Sequence, residues 1–306
     1  MRLLIKNFIC YLSILIIISC NESVPEFDQN SAYQYLLDQC DFGPRNPGSV
    51  GYYNCKTFLL KTLGSYSDTV FTQPFVIDDI NDKQYDLSNI IAQYNITGRP
   101  HLLIGAHWDT RPWADNDLDT QEHDQPIIGA NDGASGVSVL LELARIFHDN
   151  PPPFRVSIVL FDGEDMGRPG IPKSYARGSQ FFAKNLPINK PDEAIILDMI
   201  GDKDLHIPIE RYSYQQNRDL VKKLWSLAKE LKLKAFESRI VHTIFDDHVP
   251  LWQEARIPAI DIIDFNYPNR YSNYWHTSQD TPDNCSAESL GQVGSLLVHY
   301  IYGSQK

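Results

Sequence analysis

Apolar and polar positions alternate along this chain as short strand-like runs and longer helix-like runs. Compact runs rich in β-branched and aromatic residues predict strands at 69–77, 87–94, 101–106, 155–161, 194–198 and 258–263. Runs with helical spacing of apolar residues predict helices at 31–39, 52–62, 137–144, 177–185, 215–233, 249–255 and 287–302. This alternation predicts an α/β three-layer sandwich, with a central mixed, mostly parallel twisted sheet covered by helices on both faces.

The first twenty residues have a pattern of their own. Arg2 and Lys6 precede an apolar run at 8–18, which is too short to span a bilayer comfortably. The run ends at Cys20 in the sequence I-I-S-C, which is similar to a bacterial lipoprotein cleavage box, and an ordinary secretory signal is the alternative. The predicted division of the chain is a lipoprotein signal peptide at 1–20, a polar tether at 21–30 and a single domain at 31–306.

Either kind of signal predicts export, and the lipoprotein interpretation makes Cys20 the lipid-modified anchor of a periplasmic or cell-surface protein. Loss of the signal would change the net charge from −12 to −14, because it removes Arg2 and Lys6. So acidic a surface argues against nucleic acid and anionic lipid as partners. We therefore expect contact with a membrane only through the lipid anchor.

Three cysteines remain after the signal. Cys40 and Cys55 could form a disulfide in an oxidising compartment, and three free buried thiols, including Cys285, are the alternative. None has the C-x-x-C spacing of a thiolate metal site. Histidine and carboxylate side chains would have to hold any metal.

Five separated segments carry acidic or histidine side chains of the kind that bind zinc: 105–109, 129–133, 161–165, 196–200 and 274–277. Four of them lie where a strand-like run ends or a helix-like run begins. Ligands of parallel sheets bind beyond the carboxyl ends of the strands, so we expect His107, Glu164 and Asp198 to share one site. Imidazole and carboxylate ligands with a spare carboxylate suit a hydrolytic or acyl-transfer zinc site.

From about Gly43 to the last helix, the order of these segments resembles the zinc aminopeptidase superfamily with co-catalytic metals and its single-zinc relatives, the animal-type glutaminyl cyclases. The superfamily pattern H-x-D, D-G, E-E, D and H falls on His107, Asp132, the pair Glu164 and Asp165, Asp198 and His276. The resemblance implies that Asp109 orients the His107 ring.

Other features are similar to the cyclases in particular. The segment 245–250 reads F-D-D-H-V-P, close to their D-D-H-I-P, and Trp275 precedes the histidine in a W-H-T arrangement. Tyr267, before a proline, resembles an aromatic residue of the cyclase pocket. The resemblance implies one zinc held by Asp132, Asp165 and His276. It implies catalytic roles for Glu164 as proton shuttle and for Asp198 and Asp246 in a carboxyl network, with substrate contacts from Trp275 and Tyr267.

The function implied is a glutaminyl-peptide cyclotransferase that converts the N-terminal glutamine of peptides and proteins to pyroglutamate. A two-zinc aminopeptidase is the alternative, with His107 and Asp198 completing a second metal site. A non-catalytic binding lipoprotein is a third hypothesis. Two positions depart from the cyclase pattern: Asp165 is shorter than the usual glutamate, and Gly170 stands where a pocket tryptophan is expected, with Trp113 as a candidate replacement.

Overall fold

The computed structural model describes residues 24–79 and 82–303. The strands are β1 (Thr69–Asp78), β2 (Gln84–Tyr94), β3 (His101–His107), β4 (Arg155–Phe161), β5 (Glu193–Asp198), β6 (Ile207–Glu210), β7 (Phe236–Val241), β8 (Ala259–Ile263), β9 (Pro268–Asn269) and β10 (Ser272–Asn273). The α-helices are α1 (Gln29–Cys40), α2 (Val50–Tyr66), α3 (Ala134–Asp149), α4 (Arg177–Lys184), α5 (Arg211–Gln216), α6 (Arg218–Glu230), α7 (His248–Ala255) and α8 (Ala287–Tyr302).

Six strands form the central sheet in the order β1-β2-β4-β3-β5-β8. The pairs β1–β2 and β2–β4 are antiparallel. The pairs β3–β4, β3–β5 and β5–β8 are parallel. Every residue of β3, β4 and β8 is buried, as expected for strands covered on both faces. The predicted mixed, mostly parallel sheet is confirmed.

Helices cover the two faces of this sheet. Ile104 packs in the larger apolar cluster, with residues of α1, α2, α3, α6 and α8. Its neighbour Leu103 packs in a second cluster with Phe182 of α4 and Leu251 of α7. Successive strand residues point to opposite faces, so this alternation places the two sets of helices on opposite sides. The three-layer arrangement follows from it.

One predicted helix is divided, and the short strands β6, β7, β9 and β10 were not predicted. The helix predicted at 215–233 is two helices, because α5 ends at Gln216 and the side chain of Asn217 accepts from Leu220 N to begin α6. The parallel pair of β6 and β7 was not predicted. Much of β7 is exposed, so it lacks the apolar pattern that marks the strands of the core.

The predicted signal and Cys20 lie outside the described residues. The tether predicted at 21–30 is wrong for its later part. Phe27 is buried against Gly294 of α8, and Asp28 caps α1 by accepting from Asn30 N and Ser31 N. Residues from 24 onward therefore lie against the domain.

Cys40, Cys55 and Cys285 are free and buried, so the structure has free thiols in place of a Cys40–Cys55 disulfide. Within 24–79 and 82–303, no helix combines the length and the apolar character needed to cross a bilayer.

Candidate active site

The predicted ligand residues converge at one edge of the sheet. His107 is the last residue of β3 and Asp198 is the last of β5, while Glu164 and Asp165 follow β4 by three and four residues. Because these three neighbouring strands are parallel, their carboxyl ends meet at the same edge. Asp132 joins them from the turn before α3.

Asp132, Asp165 and His276 form one candidate ligand group, whose donor atoms all lie within 4.8 Å of one another. His276 Nε2 lies 2.9 Å from Asp165 Oδ1 and 3.7 Å from Asp132 Oδ2. The three side chains are almost fully buried, and Oδ2 of both aspartates has no hydrogen-bond partner. Buried carboxylate oxygens without partners are costly, and a cation would satisfy them. Two carboxylates with one imidazole are a donor set that suits zinc.

His107, Asp132 and Asp198 form a second group of the same kind. His107 Nε2 lies 3.0 Å from Asp132 Oδ1 and 3.2 Å from Asp198 Oδ1. Asp132 therefore turns one oxygen toward each group. A carboxylate that faces two ligand groups is what a two-metal site requires.

Asp109 holds the loop that carries two of the acidic side chains. Its Oδ1 accepts from Glu164 N at 3.0 Å and its Oδ2 accepts from Asp165 N at 3.2 Å. The predicted contact with the His107 ring is longer, 3.7 Å from Nδ1 to Oδ1. Asp109 thus acts chiefly on the backbone at Glu164 and Asp165.

Asp280 does the same for the Asp132 turn. It accepts from Asn131 N at 2.7 Å and from Asp132 N at 3.1 Å. Tyr267 donates its hydroxyl to Asp280 Oδ1 at 3.1 Å and is only 1% exposed. The prediction that Tyr267 lines the substrate pocket is corrected: its hydroxyl is committed to the support of the Asp132 turn and its ring is buried.

Arg111 is a functional residue that the sequence prediction missed. Its buried guanidinium donates from Nη1 to Asp165 Oδ1 at 3.3 Å and to the Asp165 carbonyl oxygen at 3.1 Å. Its Nε and Nη2 donate to the two oxygens of Asp115, each at 2.6 Å. The available signal was that Arg111 is the only lysine or arginine in 101–144, a stretch that holds three predicted site residues.

Arg111 also helps to explain how the short side chain of Asp165 reaches the ligand group. The Asp165 backbone is anchored on both sides, through N to Asp109 and through its carbonyl oxygen to Arg111. Fixing the main chain here keeps the short carboxylate within 2.9 Å of His276 Nε2. The missing methylene is thus offset by the position of the backbone.

A cavity of about 350 Å³ opens beside these groups. Glu164, Asp198 and Asp246 line it together with Trp275, whose ring centroid is 4.9 Å from that of Phe265. Gly170 also lines it, with a φ of +81° and open space where a Cβ would stand. Among the described residues, aromatic walls come from Tyr175, Phe245, Phe265 and Trp275.

Trp113 does not take the place of the pocket tryptophan. Its ring lies under the Arg168 guanidinium, 3.8 Å from the centroid, and is not among the side chains that line the cavity. The suggestion that it replaces the tryptophan expected at Gly170 is corrected.

Burial is the largest cause of the pKa shifts of the carboxyl groups in the site. It raises the pKa of Glu164 well above the ordinary value, opposed by His107 and reinforced by Asp246 and Asp165. Burial likewise raises the pKa of Asp198 to about 7, opposed by its bond to His107. A carboxyl group that keeps a proton near neutral pH can serve as both base and acid.

The pKa of the His276 imidazole is shifted downward, in contrast to those of the carboxyl groups. Burial and the nearby Arg111 charge lower its pKa to about 3. A neutral ring is the form that binds metal.

His248 lies behind Asp246 in the interior. Its Nδ1 is 3.9 Å from Asp246 Oδ2, and its Nε2 is 3.3 Å from Glu210 Oε2. Burial lowers its pKa, but Asp246 and Glu210 outweigh this and raise it to about 9. His248 therefore lies beside Asp246 on the interior side of the site, and the two residues form a third group of possible ligands with Asp261.

A mixed sheet with buried aspartate, glutamate and histidine side chains gathered at its carboxyl edge is the framework of an α/β enzyme with a candidate metal site. The chain belongs to Peptidase family M28, whose sequence model matches residues 89–301. The predicted family relationship is confirmed.

Solved structures and a curated relative show which members of the family the chain resembles. A glutaminyl cyclase from Bacteroides thetaiotaomicron, solved with N-acetylhistamine, is 36% identical with a TM-score of 0.87, over 92% of this chain and 99% of that one. A Zn-dependent exopeptidase from Parabacteroides distasonis is 33% identical with a TM-score of 0.88, over 92% and 99%. The glutaminyl-peptide cyclotransferase of Bos taurus is 22% identical, over 91% of this chain and 82% of its own.

Proposed function

We propose that the protein is a zinc-dependent glutaminyl-peptide cyclotransferase, which converts an N-terminal glutamine to pyroglutamate and releases ammonia. One observation carries the proposal: Glu164, Asp198 and Asp246 line the same cavity as the metal ligands Asp132 and His276. The similarity to glutaminyl cyclases across nearly the whole chain supports it.

Glu164 would move the proton in this reaction. The α-amine nitrogen attacks the γ-carbonyl carbon of the same residue, a new C–N bond closes the ring, and the bond to the amide nitrogen breaks. Glu164 accepts the proton that the α-amine loses and returns it to the departing ammonia. Its raised pKa suits both halves of this transfer.

Asp198 and Asp246 would share the charge of the shuttle, since both line the cavity beside Glu164. Trp275 would supply an apolar wall against the methylenes of the glutamine side chain. Bound zinc, held by Asp132, Asp165 and His276, would supply Lewis-acid polarisation of the γ-amide carbonyl.

A two-zinc aminopeptidase is the second candidate. The observation that favours it is the pair of contacts made by Asp132, Oδ1 to His107 and Oδ2 to His276. The similarity to a Zn-dependent exopeptidase is also consistent with it. We place the cyclase first because Asp246 and Trp275, the cyclase-like features, both line the cavity.

Two measurements on the purified protein separate these candidates. Ammonia release from glutaminyl peptides is compared with hydrolysis of a leucyl fluorophore, and metal per chain is counted by mass spectrometry. We expect cyclisation with one zinc. Leucyl hydrolysis with two zinc ions and no cyclisation would establish the aminopeptidase, whereas no metal and no turnover would indicate a binding protein.

We also propose that the protein is exported and anchored in a membrane through lipid on Cys20. The support is the sequence of the first twenty residues. Expression of the full chain in bacteria fed an alkyne fatty acid should label the protein and place it in the membrane fraction. A Cys20→Ser variant should lose both the label and the membrane association, and retention of both would exclude this anchor.

A further inference from the structure

A second cavity, of about 650 Å³, lies next to the catalytic one and has no part in the proposed chemistry. Asn116 lines both cavities. In the chain, Trp275 and His276 of the catalytic cavity stand between Tyr274 and Thr277 of the second. We call the second cavity the outer groove, defined by residues 116–119, 270–274, 277 and 279.

The wall between the two cavities is tied together by hydrogen bonds. Asn116 N donates to the His276 carbonyl oxygen at 3.2 Å, and Ser278 N donates to Asp117 Oδ2 at 2.8 Å. The Asn273 side chain donates to the Trp275 carbonyl oxygen at 2.9 Å. The segment that carries the candidate ligand His276 is therefore hydrogen-bonded to residues that line the outer groove.

Two large apolar side chains stand exposed on this groove. Leu118 is fully exposed at 100%, and Tyr271 is 80% exposed at the turn between β9 and β10. Leu118 and Tyr271 both line the outer groove and so offer it apolar surface beside the catalytic cavity.

The charged side chains of the groove are already engaged. Asp117 accepts from both N and Oγ of Ser278, and Asp119 accepts from Gln121 N. The Arg270 guanidinium lies 4.6 Å from the centroid of the Tyr271 ring. A charged ligand would have to compete with these contacts, whereas an apolar side chain would add to them.

The reaction consumes only the first residue of a substrate, so the rest of the polypeptide must leave the catalytic cavity along the surface. We propose that the outer groove binds the polypeptide that follows the N-terminal glutamine, with apolar side chains of the second to fourth residues against Leu118 and Tyr271. This inference rests on the proposed function and assigns its substrate class: extended polypeptides that are apolar just after the glutamine.

The test compares two peptides of equal length, Gln-Phe-Leu-Ala-amide and Gln-Gly-Gly-Ala-amide, by the ratio of their kcat/KM values for ammonia release. The wild-type ratio should be about tenfold, as burial of one apolar side chain gives. In the Leu118→Ser/Tyr271→Ser double variant the ratio should fall to near one through KM. The control is Val76→Ser, an exposed valine on β1, which should keep the wild-type ratio.

An unchanged ratio in the double variant, or a wild-type ratio near one, overturns the inference while the cyclase activity stands. No ammonia from either peptide with any of the three proteins would instead contradict the proposed function, and the inference with it.

Discussion

Arg111 donates from Nη1 to both the side-chain and the main-chain oxygen of Asp165, at 3.3 and 3.1 Å. The same guanidinium donates to both oxygens of Asp115 and to the Gly167 carbonyl oxygen, so five hydrogen bonds fix its plane. A planar, permanently charged fork is needed to hold two groups in this way. Arg111 therefore sets where the Asp165 carboxylate stands relative to His276.

Replacing this arginine should weaken metal binding. In Arg111→Met we expect metal affinity to fall about 10- to 100-fold, as is usual when a group that orients a ligand is removed. Loss of one partner from a buried ion pair should also cost about 3–5 kcal/mol of unfolding free energy. Competition with a fluorescent chelator measures the affinity, and urea unfolding of the metal-loaded protein measures the stability. Arg111→Lys keeps the charge but not the planar guanidinium, so its metal affinity should lie between those of the wild type and Arg111→Met. Wild-type metal affinity in Arg111→Met would show that Arg111 does not position Asp165.

Glu164→Gln should separate chemistry from metal binding. Glu164 belongs to none of the three candidate ligand groups, so metal content should equal that of the wild type. Loss of the proton carrier should lower kcat by about 10²- to 10⁴-fold. Turnover of a glutaminyl peptide and metal analysis are the measurements, with the exposed Glu230→Gln as a control of equal charge change. Full activity in Glu164→Gln would show that another group moves the proton.

Tyr267→Phe should lower stability without changing KM, whereas Trp275→Ala should raise KM with little effect on stability. Tyr267 donates to Asp280 and is buried, so loss of its hydroxyl should cost about 1 kcal/mol of stability and leave KM unchanged. Trp275 lines the catalytic cavity, so its truncation should raise KM about tenfold or more with little change in Tm. Steady-state kinetics and thermal unfolding test both. A raised KM in Tyr267→Phe would show that the Tyr267 ring contacts the substrate after all.

Asp202 should make the stability depend on pH. Burial raises its pKa from 3.8 in the unfolded chain to about 7 in the folded protein. Its carboxyl is protonated in both states below about pH 4, and between pH 4 and 7 only the unfolded chain ionises. Stability therefore falls as pH rises through this window, and the loss is complete above pH 7.

The Asp202→Asn variant should lack this decline. We expect it to match the wild type at pH 4 and to exceed it at pH 8 by an amount of the order of 1–3 kcal/mol in urea unfolding. The exposed Asp86→Asn serves as the matched control and should follow the wild type at both pH values. A wild-type pH dependence in Asp202→Asn would show that Asp202 is ionised in the fold.

Much of the fold could be predicted because its signals are local. The runs at 101–106 and 155–161 are mostly apolar, as a strand covered on both faces requires, and the structure has β3 and β4 there. The break at Asn217 was missed because a capping asparagine looks the same as a polar residue on a helix surface. The strand β7 was missed because it is too exposed to carry an apolar pattern.

The candidate site, too, was predictable from the sequence in one part and not in another. The strand pattern by itself determined that His107, Asp165 and Asp198 would meet at one edge of the sheet, and the resemblance of the sequence motifs to the family added Asp132 and His276. Only the tertiary structure decided the direction of each side chain. It placed Tyr267 in the interior under Asp280, and Arg111 against Asp165, 54 residues further along the chain. The physical reason is that strand ends follow from local periodicity, whereas contacts between distant loops depend on how those loops pack over the finished sheet.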